Sequence, residues 1–396
     1  MKKNLFMTAA AIAALLTGCS TDEEIANIET SAKNAIGFNI VSNGAETKAT
    51  PIRPDNLTTT DFDVFAFNST TGDLFMGTHQ GTFGHDGVDI VYKDSKWDYK
   101  NPADLAYWPS DKSKLSFYAI SPATITEYDD RTRYLWLIHG PKATEDPEVT
   151  NKISCSLVDE YGKVKGTNYD LMYATAFNYD KGTNNTKVKL TFKHTLSQVI
   201  FKGKTSNASL KADIKSITMN NIKFSGKFSI PADLQAGSNN YARDPKSTDW
   251  TLNESKHSVA AKMAGDNVLV DNTGAKDLSK TDEPILVIPQ VLTPWSTTTS
   301  IDDNSYLEIS MKLTQNRQYL IGSESSYQTI YVPFTNVDAT ATTGWEPGYR
   351  YVYTLIFGGG YDDQGKPILT PITFEPTVED WKDISGYAPE VPAYTN

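Results

Sequence analysis

The residue types that most often carry catalysis are few in this chain, and their spacing does not favour it. Five histidines occur: His79, His85, His139, His194 and His257. His79, His85 and the adjoining Asp86 lie close in sequence, but their spacing matches zinc-ligand patterns poorly. The chain has no HExxH, GxSxG or P-loop motif, and no GxGxxG after a strand. We therefore predict structural or solvated histidines, no catalytic residue, no metal site and no cofactor.

Paired carboxylates are the second candidate for chemistry, because two acids can hydrolyse a glycosidic bond between them. Three adjacent pairs occur: Asp129–Asp130, Asp302–Asp303 and Asp362–Asp363. Adjacent strand residues point to opposite faces, so two adjacent carboxylates are poorly placed to act on the same bond. We predict instead that these pairs form turns. His194, in FKHTLSQVIF, is predicted to orient a turn at a strand edge. A hydrolase whose carboxylates meet only in three dimensions stays open as an alternative.

Cys19 lies between an apolar run and an acidic cluster, in the segment LLTGCSTDEE. A cationic start, an apolar stretch over residues 5–16 and the small residues that follow predict a signal peptide over residues 1–18. Residues 16–19, LTGC, resemble the bacterial lipobox, which implies acyl chains on Cys19. The alternative is a signal cut elsewhere, with Cys19 discarded or left as a free thiol. Residues 22–24 resemble the acidic export tag of surface lipoproteins in Bacteroidota, or serve as a solvated tether.

Composition limits the partners and the fold class. A net charge of -11 argues against nucleic acid or an anionic membrane surface as a partner. With 21 Tyr and 16 Phe, and with Gly and Pro spread along the chain, strands are favoured over helices. No run after the signal is apolar for the roughly 20 residues that a spanning helix needs. Cys155 is the only other thiol, so we predict no intramolecular disulfide.

Alternating apolar and polar residues predict individual strands. KVKLTFK places three lysines and a threonine opposite Val188, Leu190 and Phe192, and YLEISMKL over residues 306–313 alternates in the same way. More deeply buried strands are predicted at residues 62–67, 114–120, 285–288 and 351–357, between Gly- and Asn-rich turns. We predict an all-β protein of antiparallel sandwiches.

The 396 residues exceed the roughly 250–300 that one hydrophobic core usually serves, so two domains are expected. The polar segment over residues 178–186 separates two groups of strands. We predict a disordered tether over residues 19–33, an N-terminal domain over 34–186 and a C-terminal domain over 187–396.

Clustered aromatic residues keep a binding function open. Trp97, Trp108 and Trp136 each lie beside a tyrosine in the sequence or one residue away from it, and such side chains can form a platform for a sugar. The alternative is that these rings pack in the core.

A series of segments resembles the fimbrillin family of Bacteroidota, which comprises lipoprotein subunits of type V pili and their relatives. In chain order they are LTGC (16–19), TKAT (47–50), FDVFA (62–66), YWPSDKSKLSFYAISP (107–122), DLMYA (170–174), VKLTFKHTLSQVIFK (188–202), ILVIPQ (285–290), WEPGYRYVYTLIF (345–357) and ITFEPTVEDW (372–381). Their common order covers nearly the whole mature chain.

The resemblance implies two tandem transthyretin-like β-sandwich domains and a lipidated precursor on the cell surface. It further implies that a protease cuts between Lys48 and Ala49 and so releases the first strand, with Ile36, Phe38 and Ile40 on its buried face. A segment of a neighbouring subunit then fills the groove by strand addition. The alternative is an ordinary first strand that nothing removes.

Two features depart from the family pattern. Lys48 stands where relatives usually have Arg, so a Lys-tolerant protease is required. Pro389 and Pro392 remove backbone donors from the C-terminal segment and weaken it as a long inserted strand.

These observations together predict a non-enzymatic surface lipoprotein of the outer membrane, held by the lipid on Cys19. It is expected to be a structural or accessory pilus subunit that supports adhesion, with other fimbrillin subunits as partners in a homo- or heteropolymer. The alternative is a surface glycan-binding lipoprotein that does not polymerise.

Overall fold

The computed structural model describes residues 35–40, 60–79, 85–94, 96–123, 135–137, 151–158, 163–164, 170–182, 187–238, 240–296, 298–336, 344–358 and 373–380. Within these ranges the chain forms strands and two short 3-10 turns, Pro102–Asp104 and Ser247–Asp249, and no α-helix. In the same ranges, no helix is long and apolar enough to cross a membrane. The predicted all-β class is confirmed.

The described strands, in chain order, are β1 (Phe38–Ile40), β2 (Phe62–Asn68), β3 (Leu74–Met76), β4 (Thr78–His79), β5 (His85–Asp86), β6 (Val88–Lys93), β7 (Lys96–Tyr99), β8 (Leu115–Ser121), β9 (Leu135–Leu137), β10 (Lys152–Ser156), β11 (Met172–Tyr179), β12 (Val188–Leu190), β13 (Lys193–His194), β14 (Ser197–Thr205), β15 (Leu210–Lys223), β16 (Ser225–Ser229), β17 (Trp250–Leu252), β18 (Lys256–Ala260), β19 (Val268–Val270), β20 (Lys276–Asp277), β21 (Ile285–Val287), β22 (Tyr306–Gln315), β23 (Gln318–Ile321), β24 (Gln328–Pro333), β25 (Tyr349–Phe357) and β26 (Thr373–Asp380).

A seven-stranded sheet lies at the centre of the N-terminal half. Its order is β13-β11-β8-β2-β6-β7, and β3 also pairs with β2. Successive strand residues point to opposite faces, so the buried run of β2 supplies two cores. Phe62 and Val64 belong to one cluster of buried side chains, and Phe65 and Phe67 belong to another.

The first of these clusters, here named the first-strand core, contains residues of β1 and β12 together with one face of the seven-stranded sheet. Its buried members are Ile36, Phe38, Phe62, Val64, Ala66, Met76, Ile90, Tyr99, Trp108, Leu115, Phe117, Ala119, Met172, Ala174, Ala176, Val188, Leu190 and Phe192. β1 and β12 form a two-stranded parallel sheet over this face.

The second cluster, the main core, begins on the opposite face and continues through the C-terminal half. A four-stranded sheet, β17-β16-β10-β9, contributes to it, with Ile153 of β10 opposite Phe228 of β16. β12 pairs with β1, and β13 pairs with β11, so strands that follow residue 186 join strands that precede it. The domain division between residues 186 and 187 stays a prediction, and strands from both sides of it share sheets.

The C-terminal half adds two larger sheets. One has the order β20-β14-β25-β26 with β21 beside β14, and the other has the order β18-β15-β22-β23 with β19 and β24 attached. β14 and β25 run parallel from the pair Gln198 and Arg350 to the pair Thr205 and Phe357. Burial alternates along β22 as its sequence predicts, because one face contributes to the main core.

The predicted KVKLTFK strand is the clearest departure from expectation. The structure divides it into β12 and β13, and Lys193 is buried, not part of a solvated cationic face. The Lys193 ammonium donates to the carbonyl of Ala242 at 2.8 Å and lies 2.7 Å from the Asp244 carboxylate. These two acceptors compensate the loss of water around the charge.

Candidate functional site: the groove of the first strand

β1 occupies a groove with backbone partners on both sides. On one side Phe38, Asn39 and Ile40 are opposite Val188, Lys189 and Leu190 of β12, in parallel register. The Val188 amide also donates to the carbonyl of Gly37 at 2.8 Å. On the other side, the Ile36 amide donates to the carbonyl of Ala106 at 2.9 Å, and Ala35 forms an antiparallel bridge with Tyr107.

Alternate side chains of this segment, those of Ile36, Phe38 and Ile40, face the first-strand core. Ile36 and Phe38 are each only 1% exposed, and Ile40 is half-buried. The ring of Phe38 lies 6.4 Å from Phe62 and 6.3 Å from Phe117, both in near-perpendicular geometry. Burial of each such side chain contributes roughly 1.5–3 kcal/mol. β1 is therefore anchored mainly by Ile36 and Phe38.

Tyr99, at the end of β7, completes the groove. Its ring centre lies 6.1 Å from that of Phe38, and its hydroxyl donates to the carbonyl of Ile36 at 3.0 Å. Burial raises the pKa of Tyr99 to about 12, so the hydroxyl keeps its proton at neutral pH. Sequence reasoning did not identify Tyr99, because a contact to the backbone of a residue 63 positions away leaves no local pattern.

A charged cluster lies at the β6 and β7 end of the same sheet. The Lys100 ammonium is 2.8 Å from the Asp89 carboxylate, and Asp89 lies directly opposite the buried Asp63 in the β2–β6 ladder. Burial alone would raise the pKa of Asp89, but hydrogen bonds from Asp63 and Lys100 lower it. These hydrogen bonds therefore favour the ionised form of Asp89.

The remaining predicted site residues fall outside the described residues. Cys19, the predicted lipidation site, precedes the first described range, and Lys48 and Ala49 fall between two of them. The lipidation and the cut stay predictions. The structure places Ile36, Phe38 and Ile40 on β1 or directly before it, with the cut site later in the chain than Ile40.

Four of the five histidines, His79, His85, His194 and His257, lie in described strands. His79 and His85 are opposite each other in the β4–β5 ladder, and His139 lies outside the described ranges. His194 is 1% exposed, and its Nδ1 lies 2.7 Å from the fully buried carboxylate of Asp170. A substrate has no access to such a pair. His194 lies in β13, the edge strand of the seven-stranded sheet, close to the bend at Leu196, in agreement with its predicted place at a strand edge.

One of the three acidic pairs lies within the described residues. Asp302 and Asp303 are exposed in the turn before β22, as predicted, whereas the other two acidic pairs lie outside the described residues. Among the described residues, no group of three or more His, Cys, Asp or Glu side chains is placed to hold a metal ion.

The candidate sugar platform is not formed by the two tryptophans whose side chains are described. Trp108 is 7% exposed in the first-strand core, stacked on Tyr179 with ring centres 6.4 Å apart. Trp97 is half-buried, with its ring 5.0 Å from Phe62. Both rings pack against the first-strand core, which makes Trp108 unavailable to a ligand on the surface, whereas the side chain of Trp97 keeps part of its area exposed.

The geometry defines the class of protein: it is an all-β protein in which β1 packs into a small core of its own. The sequence model of the Fimbrillin-like family matches residues 47–381. The chain belongs to this family, whose members are fimbrial and cell adhesion proteins.

One solved structure supports the fold, and a second is similar over the same share of the chain. A fimbrial protein from Bacteroides vulgatus ATCC 8482 is 16% identical, with a TM-score of 0.52, over 88% of this chain and 100% of that chain. The tip fimbrial protein Mfa3 from Porphyromonas gingivalis is 9% identical, with a TM-score of 0.36, over 88% of this chain and 100% of that chain. No curated protein matches the chain.

Proposed function

We propose that this protein is a surface lipoprotein that serves as a structural or accessory fimbrial subunit and assembles by exchange of its first strand. The lipid on Cys19 anchors the precursor in the outer membrane. A cut between Lys48 and Ala49 then frees the body of the subunit from the lipid and from β1. A strand of another subunit, of the same or a different kind, fills the groove.

The observation that carries this proposal is the location of β1 in a core of its own. Ile36 and Phe38 belong to the first-strand core, and the main core lies on the opposite face of the seven-stranded sheet. Loss of β1 therefore exposes Phe62, Phe117 and Tyr99 while it leaves the main core covered. A body with such an apolar groove gains stability by binding a replacement strand.

The position of the cut fits this geometry. The chain leaves β1 at Ile40, and Lys48 follows eight residues later, before β2 begins at Phe62. A cut there separates β1 from every later strand. Because the bond follows a lysine, the protease must accept Lys at that position.

The test uses the soluble chain without residues 1–19, treated briefly with trypsin. N-terminal sequencing and electrophoresis of unheated samples then report the new terminus and the oligomers. We expect a terminus at Ala49 together with a ladder of detergent-resistant multimers. Lys48→Ala should remove both, whereas the control Arg53→Ala should change neither, because Pro54 follows Arg53 and hinders cutting there. A cut at Ala49 that leaves only monomers would refute assembly by strand exchange.

A further inference from the structure

Two hydrogen bonds, here named the clasp, hold the backbone of Ile36. The Ile36 amide donates to the Ala106 carbonyl at 2.9 Å, and the Tyr99 hydroxyl donates to the Ile36 carbonyl at 3.0 Å. Both backbone polar groups of Ile36 are therefore bound on the side of the groove away from β12.

The two hydrogen bonds of the clasp contact only backbone atoms of Ile36, so they do not themselves select among residues that have an amide hydrogen. Selection by side chain takes place two residues later, where the Phe38 ring is enclosed by Phe62, Tyr99 and Phe117. Strand residues two positions apart lie on one face, so a strand fixed at the clasp delivers its second following residue into this cage. The groove therefore requires a spacing of two residues between the peptide unit held by the clasp and the side chain enclosed by the three aromatic rings.

Strand direction is set on the opposite side. The Val188 amide donates to the carbonyl of Gly37, and the ladder with β12 runs parallel. Parallel and antiparallel pairs place their hydrogen bonds differently along a strand. A reversed strand cannot satisfy β12 and the clasp in the same register.

We propose that Tyr99 is a positioning residue that fixes the register of whichever strand occupies the groove. The groove accepts an extended segment that runs parallel to β12 and carries an aromatic side chain two residues after the peptide unit in the clasp. For β1 of the same chain this follows from the native contacts alone. For a strand from a second subunit it rests on the proposed function.

The first experiment uses the uncut chain without residues 1–19 and the variant Tyr99→Phe, which removes the hydroxyl and keeps the ring. Tyr179→Phe is the matched control, because the Tyr179 hydroxyl reaches a nearby backbone carbonyl, that of Lys187 at 3.4 Å, and does not contact β1. Register is measured by disulfide formation from Asn39→Cys to a second cysteine. That cysteine replaces the directly opposite Lys189 or, two residues further on, Thr191.

With Tyr99 present, we expect the crosslink at position 189 and none at 191. Tyr99→Phe should give crosslinks at both positions and about 10- to 100-fold faster amide exchange at Ile36, since it leaves the buried carbonyl of Ile36 without its hydrogen bond. Tyr179→Phe should match the parent chain. A Tyr99→Phe variant that crosslinks only at 189 and exchanges at the parent rate would overturn the clasp.

The second experiment measures selection of a replacement strand and does not depend on the natural cut. Residues 44–50 are replaced with the site of a protease that cuts nowhere else in the chain. After cutting, labelled peptides AIGFNIV, AIGANIV and the reversed VINFGIA compete for the groove. We expect the first peptide to exchange in, and the other two to bind at least about tenfold more weakly, because they lose a buried ring or the strand direction.

Equal binding of all three peptides would overturn selection by the groove, although strand exchange itself would stand. Failure of every peptide to enter would overturn both the replacement step and the proposed function. A register shift in the first experiment would still support the clasp on β1.

Discussion

Phe38→Ala is the substitution that tests the separation of the two cores most directly. Phe38 is 1% exposed and meets three aromatic rings, at 6.1 to 6.4 Å between centres. Truncation of a buried Phe to Ala costs about 3–5 kcal/mol, from lost transfer energy and the cavity that remains. A typical domain has only about 5–15 kcal/mol of stability. Because the side chain belongs to the first-strand core, we expect the cost to appear as local opening of β1.

Hydrogen exchange followed by mass spectrometry separates local from global opening, because amides exchange with the free energy of the unit that exposes them. The peptides to compare contain residues 35–40 and 187–192 on one hand, and residues 197–205 and 306–315 on the other. We expect Phe38→Ala to accelerate exchange in the first pair by about 100-fold or more, with little change in the second pair.

The matched control is Phe228→Ala, which truncates a fully buried ring of the main core packed on Tyr173 and Trp250. It should weaken protection throughout the β14 and β22 peptides. If Phe38→Ala instead lowered protection equally in all four peptides, β1 would be an inseparable part of one cooperative unit. Release of the strand would then unfold the subunit, and the proposed assembly would fail.

Three further outcomes follow from other parts of the structure. Burial raises the pKa of the Cys155 thiol, so a maleimide should react with it only as fast as the chain opens, measured as labelling against urea concentration. The lowered pKa of Asp89 stabilises the fold above the unfolded value of about 3.9, and this contribution disappears as pH falls through the folded value. Lys100→Met should therefore raise the Asp89 pKa in an NMR titration and move acid unfolding to higher pH. A Cβ at Gly87 would lie 2.7 Å from the Cβ of Asp63, so Gly87→Ala should cost about 1–3 kcal/mol in urea unfolding.

The sequence predicted individual strands well, because burial on one face imposes a two-residue period. Residues 306–313 and 351–357 became β22 and β25 with bounds extended by only two residues. Pairing was not predictable in the same way. The parallel contact of β1 with β12 joins residues about 150 positions apart, and no periodicity within either segment encodes a distant partner.

Lys193 shows how tertiary contacts override a local pattern. Alternation placed it on a cationic face with Lys187 and Lys189, but Asp244 and the Ala242 carbonyl, some 50 residues later, cover it.

The candidate site could be predicted in part from the sequence. Side-chain alternation identified Ile36 and Phe38, whereas the backbone contacts from Tyr99 and Ala106 have no signature in residue type.

The arrangement of the two cores gives a physical reason why one short strand can be replaceable in a large protein. The seven-stranded sheet buries Phe62 and Val64 on the face toward β1, and Phe65 and Phe67 on the face toward the main core. Its own ladders, such as β2 with β8, do not include β1, so the proposed removal of β1 breaks none of their hydrogen bonds. The sheet therefore separates the stability of the body from the occupancy of the groove. The apolar surface that remains makes the empty groove unfavourable in water and favours a new strand. In the proposed assembly, the cut strand diffuses away and the replacement arrives attached to a neighbour, at high local concentration, which favours the exchanged state.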